Sequence, residues 1–213
     1  PAWRMRPALR QLEVDGHFLV VKDYRRGANH LKRVLGRFLI QREFIAYQRL
    51  ENLHGIPKVI GLLDPWTLVS EQIPGKPAPT VDREILDVNF FGQLLNLLGQ
   101  IHTRGVAHAD THNLPNILVD EYGRPALVDF TAAIMSGSSP LAALAMPYLF
   151  EDDIRGVYKL KKKRRPDLLT DEEHDFLKKR PRTERVFRYL REFVRSPAKT
   201  LAGQEQSAHP PRR

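Results

Sequence analysis

Cysteine is absent from the 213 residues, which excludes disulfide cross-links, thiolate zinc sites and cysteine nucleophiles, and suits a reducing cytosol. No apolar run approaches the roughly 18–20 residues that span a bilayer. The first residues carry no apolar signal-peptide core, so a water-soluble globular chain is expected. Phosphate-binding glycine patterns are missing as well. Lys76 follows Gly75, but no Gly-x-x-x-x-Gly-Lys-Ser/Thr run exists, which excludes a P-loop. A Gly-x-Ser-x-Gly nucleophile elbow is also absent. What the chain has in excess is positive charge, a net +9. That points to an anionic partner (nucleotide, nucleic acid, anionic lipid or phosphorylated glycan), against the plainer reading of a basic surface that binds nothing. No helix-turn-helix or aromatic ribonucleoprotein motif is legible, so nucleic acid rests on charge alone and is the least favoured of these partners.

The chemistry concentrates in Gly105–Phe130 (GVAHADTHNLPNILVDEYGRPALVDF). Two short aliphatic runs, Ile117-Leu118-Val119 and Ala126-Leu127-Val128, flank a Glu121-Tyr122-Gly123-Arg124 turn and read as a β-hairpin. Asn116 stands just before the first strand, Asp129 just after the second, and Asp110 in the loop upstream. Two acids and an amide gathered at one end of a hairpin suit Mg²⁺, which takes oxygen ligands and shares them with substrate phosphates. The His108-Ala-Asp110-Thr-His112 cluster could suggest zinc, but no His-x-His or His-Glu-x-x-His partner occurs elsewhere.

Upstream, residues 1–11 are basic and without period. Leu12–Tyr24 reads as a hairpin about Asp15-Gly16, with Phe18, Val20 and Lys22 on one face of its second strand. Lys22 is either a strand-end lysine reaching solvent or a buried functional group. A helix is expected over Arg37–Leu53, where Leu39, Glu43, Ala46, Leu50 and Leu53 make one apolar stripe. Glu43 inside that stripe needs a cation, for which Arg42 and Arg49 are the local candidates. Two strands follow, Val59–Leu63 and Thr67–Gln72, then a Pro- and Gly-punctuated connector, Glu71–Pro77. Thr80–Glu84 offers helix-start chemistry, and Asp87–Arg104 is an amphipathic helix with Phe90, Leu94, Leu97 and Ile101 facing a core. Its His102 reads as structural. Beyond Asp129, residues 132–140 are loop-like, Leu141–Phe150 is an apolar segment, and Lys159–Arg165 is a dense basic run. Thr170 and Glu173 form a capping box for a further helix. Arg182–Arg195 is basic and amphipathic, suited to an anionic membrane surface or to a solvated face of the protein. Residues 196–213 read as a disordered basic tail.

Taken together, His108-x-Asp110, Asn116-Ile-Leu and Val128-Asp129-Phe130 resemble the catalytic loop and Asp-Phe-Gly segment of the protein-kinase-like superfamily. The resemblance covers roughly Leu12–Asp153. It implies an α+β, two-lobed fold: an N-lobe (1–73) with a small antiparallel sheet and one helix, and a mainly helical C-lobe (74–195). It implies ATP and Mg²⁺ as cofactors. Asp110, with His108 and Lys22, would be catalytic; Lys22, set by Glu43, would bind the α- and β-phosphates; Asn116 and Asp129 would hold the metal. Glu71 and Ile73, in Glu-x-Ile-Pro-Gly, would be the hinge whose backbone meets adenine. Asp152 or Asp153 would brace the catalytic loop, unless it is an acid at a helix N-terminus.

The chain departs from the pattern at several points. Five residues, Thr111–Pro115, separate Asp110 from Asn116 where the pattern has four, so Asn113 competes with Asn116 as the ligand. Thr131 replaces the glycine of Asp-Phe-Gly, and no Gly-x-Gly-x-x-Gly loop precedes Lys22. No Ala-Pro-Glu follows, and only 23 residues (130–152) lie between Asp129 and Asp153. That leaves no long peptide-docking segment and points to a non-protein acceptor. His112 resembles the residue that small-molecule phosphotransferases carry at this place. The short basic chain looks most like bacterial lipopolysaccharide-core (Kdo and heptose) kinases, with RIO-type and small-molecule phosphotransferases close behind. That likeness implies phosphate transfer to a sugar hydroxyl by a cytoplasmic protein resting on the inner face of the bacterial inner membrane. The alternatives are a RIO-like serine/threonine protein kinase and a degenerate, non-catalytic binding module.

Overall fold

The computed structural model describes residues 7–25 and 30–179. The basic segment 182–195 and the tail 196–213, read above as a membrane-facing helix and a disordered end, lie outside the described residues. The chain opens with two strands, β1 (Ala8–Val14) and β2 (His17–Asp23), paired antiparallel from Ala8↔Asp23 to Val14↔His17. The Asp15-Gly16 turn between them has positive φ at both residues, 50° and 77°, which matches the right-handed twist of the flanking strands. The strand begins at Ala8, inside the stretch that showed no period, because β1 lies at the sheet edge with one residue after another exposed.

Helix α1 (His30–Arg49) follows. It starts a full two turns before the expected Arg37. The approach to the sheet explains the early start: a Cβ on Gly36 would sit 2.7 Å from the Tyr24 Cβ, so this glycine lets the first half of the helix lie against the end of β2. Its inner face buries Leu39, Ile40, Glu43, Ala46 and Tyr47, with Leu50 buried just beyond its end. Strands β3 (Val59–Asp64) and β4 (Thr67–Glu71) complete an antiparallel sheet of order β1-β2-β4-β3.

The connector after β4 is not only a loop. Gly75–Pro77 forms β5, which pairs antiparallel with β7 (Ile117–Asp120), and β7 pairs with β8 (Pro125–Leu127) in a three-stranded sheet. Gly75 permits this, since its Cβ would stand 2.7 Å from the Val119 carbonyl oxygen. The expected helix start at Thr80–Glu84 is instead two 3-10 turns, Ala78–Thr80 and Arg83–Ile85, neither with a side-chain cap. The cap belongs to Asp87, whose carboxylate accepts from the Phe90 N–H and opens α2 (Val88–Thr103), a bond typically worth about 1 kcal/mol.

A short pairing of β6 (Val106–Ala107) with β9 (Ile134–Met135) brackets the loop between them. The apolar segment and the basic run beyond it are one helix, α3 (Pro140–Arg164), capped by Ser139 and carrying Pro147 inside. Two of its basic residues are tied into the fold: Lys161 pairs with Glu173 at 2.8 Å, and Arg164 donates to the Val81 carbonyl. Thr170 and Glu173 form the expected capping box of α4 (Asp171–Lys178). One apolar core runs through the molecule, from Leu39 and Leu68 to Phe90, Leu94, Leu98, Ile117, Leu127, Phe130 and Val157. Each such side chain contributes roughly 1.5–3 kcal/mol by burial. A smaller cluster of Ala107, Ala109, Ala132, Ala145, Met146 and Leu149 fills the space under the β6–β9 pair. No helix among the described residues is long and apolar enough to cross a membrane.

Candidate active site

Lys22 is the last but one residue of β2, and its register opposite Leu68 of β4 turns it to the α1 side of the sheet. Its ammonium lies 2.9 and 2.8 Å from the two oxygens of Glu43, 2.7 Å from Asp129 Oδ1 and 2.8 Å from Thr131 Oγ1. Glu43 is 1% exposed, so an unpaired carboxylate there would cost several kcal/mol. The pairing answers the alternatives for Glu43. Lys22 meets both Glu43 oxygens, while Arg42 donates to the Thr131 carbonyl and Arg49 to the Ser136 carbonyl.

Burial opposes the charge on Lys22, yet the two carboxylates beside it outweigh that and raise its pKa well above the ordinary lysine value. Burial raises Glu43 above the usual carboxylate range, with Lys22 working against the shift. Burial would raise Asp129 too, but the Lys22 ammonium and hydrogen bonds from Lys22 and Thr131 hold its carboxyl well below the ordinary value. Its side chain remains 43% exposed, so it is an ionised carboxylate that solvent can reach.

The loop carrying Asp110 is held from below by α3. Asp153, fully buried in mid-helix rather than at an N-terminus, accepts from the backbone N–H groups of His108 (2.8 Å) and Ala109 (2.9 Å). His102 Nε2 lies 3.1 Å from the same carboxylate, so the histidine read as structural joins this brace. Of the two acids at 152 and 153, Asp152 goes instead to His112 Nε2 at 3.0 Å, while Lys159 Nζ stands 3.3 Å from His112 Nδ1. Donation by Lys159 to Nδ1 and by Nε2 to Asp152 fits both contacts with a neutral imidazole.

Asp110, Asn116 and Asp129 are connected through a few bonds. Asn116 Nδ2 is 3.2 Å from Asp110 Oδ2, and Asn113 Nδ2 donates to Asn116 Oδ1 at 2.9 Å. The two amides that competed as metal ligand therefore touch, with Asn116 buried and Asn113 half-buried. Val128, directly before Asp129, donates its N–H to the Asn116 carbonyl, and its own carbonyl accepts from His108 Nε2 at 3.1 Å. His108 was grouped with the catalytic residues; its ring is fully buried and its Nε2 meets the Val128 carbonyl, which ties the Asp110 loop to the segment just before Asp129. Asp129 adopts φ 65°, a left-handed conformation uncommon outside glycine and Asn/Asp.

Sequence reasoning noted Thr131 only as a departure from glycine. The structure puts its hydroxyl at the centre of the cluster, 2.6 Å from Asp129 Oδ1 and 2.9 Å from Glu43 Oε2. No local signal announces this, since only Asp129, two residues upstream, is near in sequence, while Glu43 and Lys22 lie 88 and 109 positions upstream. At the hinge, the Glu71 N–H is taken by the Lys58 carbonyl, and its carboxylate lies 3.8 Å from Lys58. Ile73 follows, half-buried.

Among the described residues no group of three or more His, Cys, Asp or Glu side chains could enclose a metal. The donor chemistry suits Mg²⁺ all the same, because that ion commonly takes one or two protein carboxylates and completes its shell with phosphate oxygens and water. Asp129, ionised and half-exposed, is one such carboxylate, and the Asn116 amide oxygen, which accepts from Asn113 Nδ2, is a candidate second donor.

An antiparallel sheet with one helix against it, followed by a mainly helical part that carries the Asp110 loop and the β7–β8 hairpin, defines a two-lobed, α+β protein-kinase-like fold. Solved structures agree on the fold. The Rio2 kinase from Chaetomium thermophilum matches with a TM-score of 0.60 and 18% identity, over 82% of this chain and 60% of that one. The Rio2 kinase-ADP/Mg2+-phosphoaspartate complex from the same organism matches with a TM-score of 0.56 and 19% identity, over 81% and 58%. The chain thus spans about three fifths of the length of the structures it matches. No family model and no curated protein matches it.

Proposed function

We propose that this chain is an ATP- and Mg²⁺-dependent phosphotransferase that moves a γ-phosphate to a hydroxyl group. The observation that carries the reading is Lys22, buried on β2 and gripped at once by Glu43 from α1 and by Asp129 from the end of β8. A lysine so placed can bind α- and β-phosphates while Asp129, with Asn116, holds the metal. Bound Mg²⁺ would supply charge neutralisation at the phosphate oxygens. The rest falls to the protein. Asp110 orients the acceptor hydroxyl or takes its proton. Asp153, His102 and His108 hold the loop that carries Asp110. The Glu71 carbonyl and the Ile73 backbone meet the base, since the Glu71 N–H is already engaged. The similarity to a kinase captured with ADP and Mg²⁺ supports these cofactors.

The lobes divide at 73/74 in this reading: β5 begins at Gly75 and pairs with the catalytic hairpin, which supports placing it with the second lobe. The acceptor is a non-protein hydroxyl, such as a lipopolysaccharide-core sugar. In support, only Phe130–Ser139 lies between Asp129 and α3, and β9 within it is tied to β6, which leaves little chain to dock a peptide. Such an enzyme would work in the cytoplasm at the inner membrane face, with residues 182–195 as the contact. A second reading, a RIO-like protein kinase, is favoured by the likeness to Rio2 kinase.

Purified protein given labelled ATP, Mg²⁺ and either core glycolipid or protein substrates separates the two. Label in the glycolipid is expected; label only in protein would support the second reading. Asp110→Asn should lower turnover by about 10²–10⁴-fold, the usual contribution of a positioned acid–base group, with nucleotide affinity kept. Unchanged turnover in that variant would remove Asp110 from the role, and no transfer by wild type to any acceptor would leave a kinase-like binding module.

A further inference from the structure

The Thr131 hydroxyl sits among three charged groups and has a single proton to give. Lys22 Nζ, at 2.8 Å, can only donate to it and so takes one of its lone pairs. The remaining O–H faces two carboxylate oxygens, Asp129 Oδ1 at 2.6 Å and Glu43 Oε2 at 2.9 Å. It cannot serve both fully, and the shorter contact is in the range of a strong charge-assisted O–H···O⁻ bond. The backbone beneath it is pinned. Arg42 donates to the Thr131 carbonyl, and Tyr47 packs edge-on against Phe130 with ring centroids 5.3 Å apart. The hydroxyl can therefore swing its proton without the turn moving.

We propose that Thr131 is a positioning residue that chooses between two carboxylates. Donating to Asp129, it holds that carboxylate against Lys22; donating to Glu43, it releases Asp129 for a metal-bound nucleotide and keeps Glu43 aligned on Lys22. The proposal rests on the nucleotide-site reading above, and goes beyond it by giving a task to the residue that stands where the kinase pattern has glycine. The two carboxylates differ in a way that fixes the sign of the effect. Asp129 is 43% exposed, so water can replace a lost hydroxyl there. Glu43 is 1% exposed, so a lost donor there is not replaced. Removing the hydroxyl thus harms the metal-bound arrangement more than the metal-free one.

The test has two arms. In the first, without nucleotide, urea unfolding midpoints are measured for wild type, Thr131→Val, Asp129→Ala and the double variant. The double variant is expected to lose clearly less than the sum of the single losses, whereas additive losses would overturn the link between hydroxyl and carboxylate. In the second, ADP affinity is measured by calorimetry with Mg²⁺ and with chelator. Thr131→Val should lower the preference for Mg²⁺-bound over metal-free ADP by fivefold or more, and Thr131→Ser should restore it. A merely structural role would shift melting and leave that ratio alone. A ratio within twofold of wild type, or a Ser variant as impaired as the Val variant, overturns the proposal while leaving the nucleotide site intact. Coupling in the first arm without any ADP binding by wild type would overturn the nucleotide reading and leave the hydroxyl as a lock on Asp129.

Discussion

Two carboxylates share Lys22, yet they respond to pH with opposite sign. Asp129 is held well below its reference value of 3.8, so its ionised form is favoured in the folded chain. Its contribution is complete above the unfolded pKa and is lost as pH falls through the folded value. Glu43 is raised above its reference value of 4.5, and its ionisation opposes folding as pH rises through that raised value. A pH profile of the wild type alone would mix the two, so the comparison needs a variant. Asp129→Asn should be less stable than wild type near neutral pH (about 7), by a margin that persists on acidification and closes only below about 3.8, where the unfolded carboxylate protonates. Urea midpoints of the two proteins across pH give the margin directly. A margin that closed well above that pH would mean that Asp129 is not the acid Lys22 stabilises.

At the scale of elements, close approach decides where the Asp110 loop sits. A Cβ on Gly156 of α3 would stand 2.2 Å from Thr111 Oγ1 and 2.8 Å from the Thr111 carbonyl carbon. Thr111 also donates to the Asp153 carbonyl, so it cannot back away without giving up that bond. Helix propensity alone would reward Gly156→Ala by roughly 1 kcal/mol, but overpacking against backbone costs about 1–3 kcal/mol, and the second term should win. Loss of stability in urea, with turnover reduced because Thr111 follows Asp110 directly, is the expected result; a gain in stability would show that the loop can shift freely.

The same elements show what a linear reading can reach. Asp15-Gly16, the Phe90/Leu94/Leu97/Ile101 stripe and the Thr170–Glu173 box are local signals, and each produced its element. Helix α3 was missed because Pro147 and the switch from apolar to basic composition disguise its 25 residues as two segments. That Glu43 needs a cation follows from its place in an apolar stripe, but the stripe does not say which one; it is the kinase-like resemblance that singles out Lys22 over Arg42 and Arg49. Thr131 could not be read by either route, because what it does depends on three groups that only the folded chain brings together.

For the whole molecule, nucleotide binding should read out as stability, because a ligand held between Lys22 on the sheet and the Asp129–Asn116 end of the hairpin ties the two halves to one another. At about 100 times its Kd a ligand adds about 2.7 kcal/mol. For a domain of this size each kcal/mol raises Tm by roughly 2–4 °C, so saturating ADP with Mg²⁺ should raise Tm by roughly 5–10 °C. On the proposed reading, Asp129→Ala should lose the difference between Mg²⁺ and chelator while keeping whatever shift metal-free ADP gives through Lys22. Lys22→Met should lose both, and it should also melt early, since removing the cation leaves Glu43 buried and unpaired at a cost of about 3–5 kcal/mol. The +9 charge supplies the control. A shift due to general attraction of anions would be reproduced by inorganic pyrophosphate, would fade steeply with added salt, and would persist in Asp129→Ala. A shift seated at the site would follow the metal and the carboxylate instead. Equal shifts in wild type and Asp129→Ala, with and without Mg²⁺, would leave the fold standing as kinase-like and remove the metal site from it.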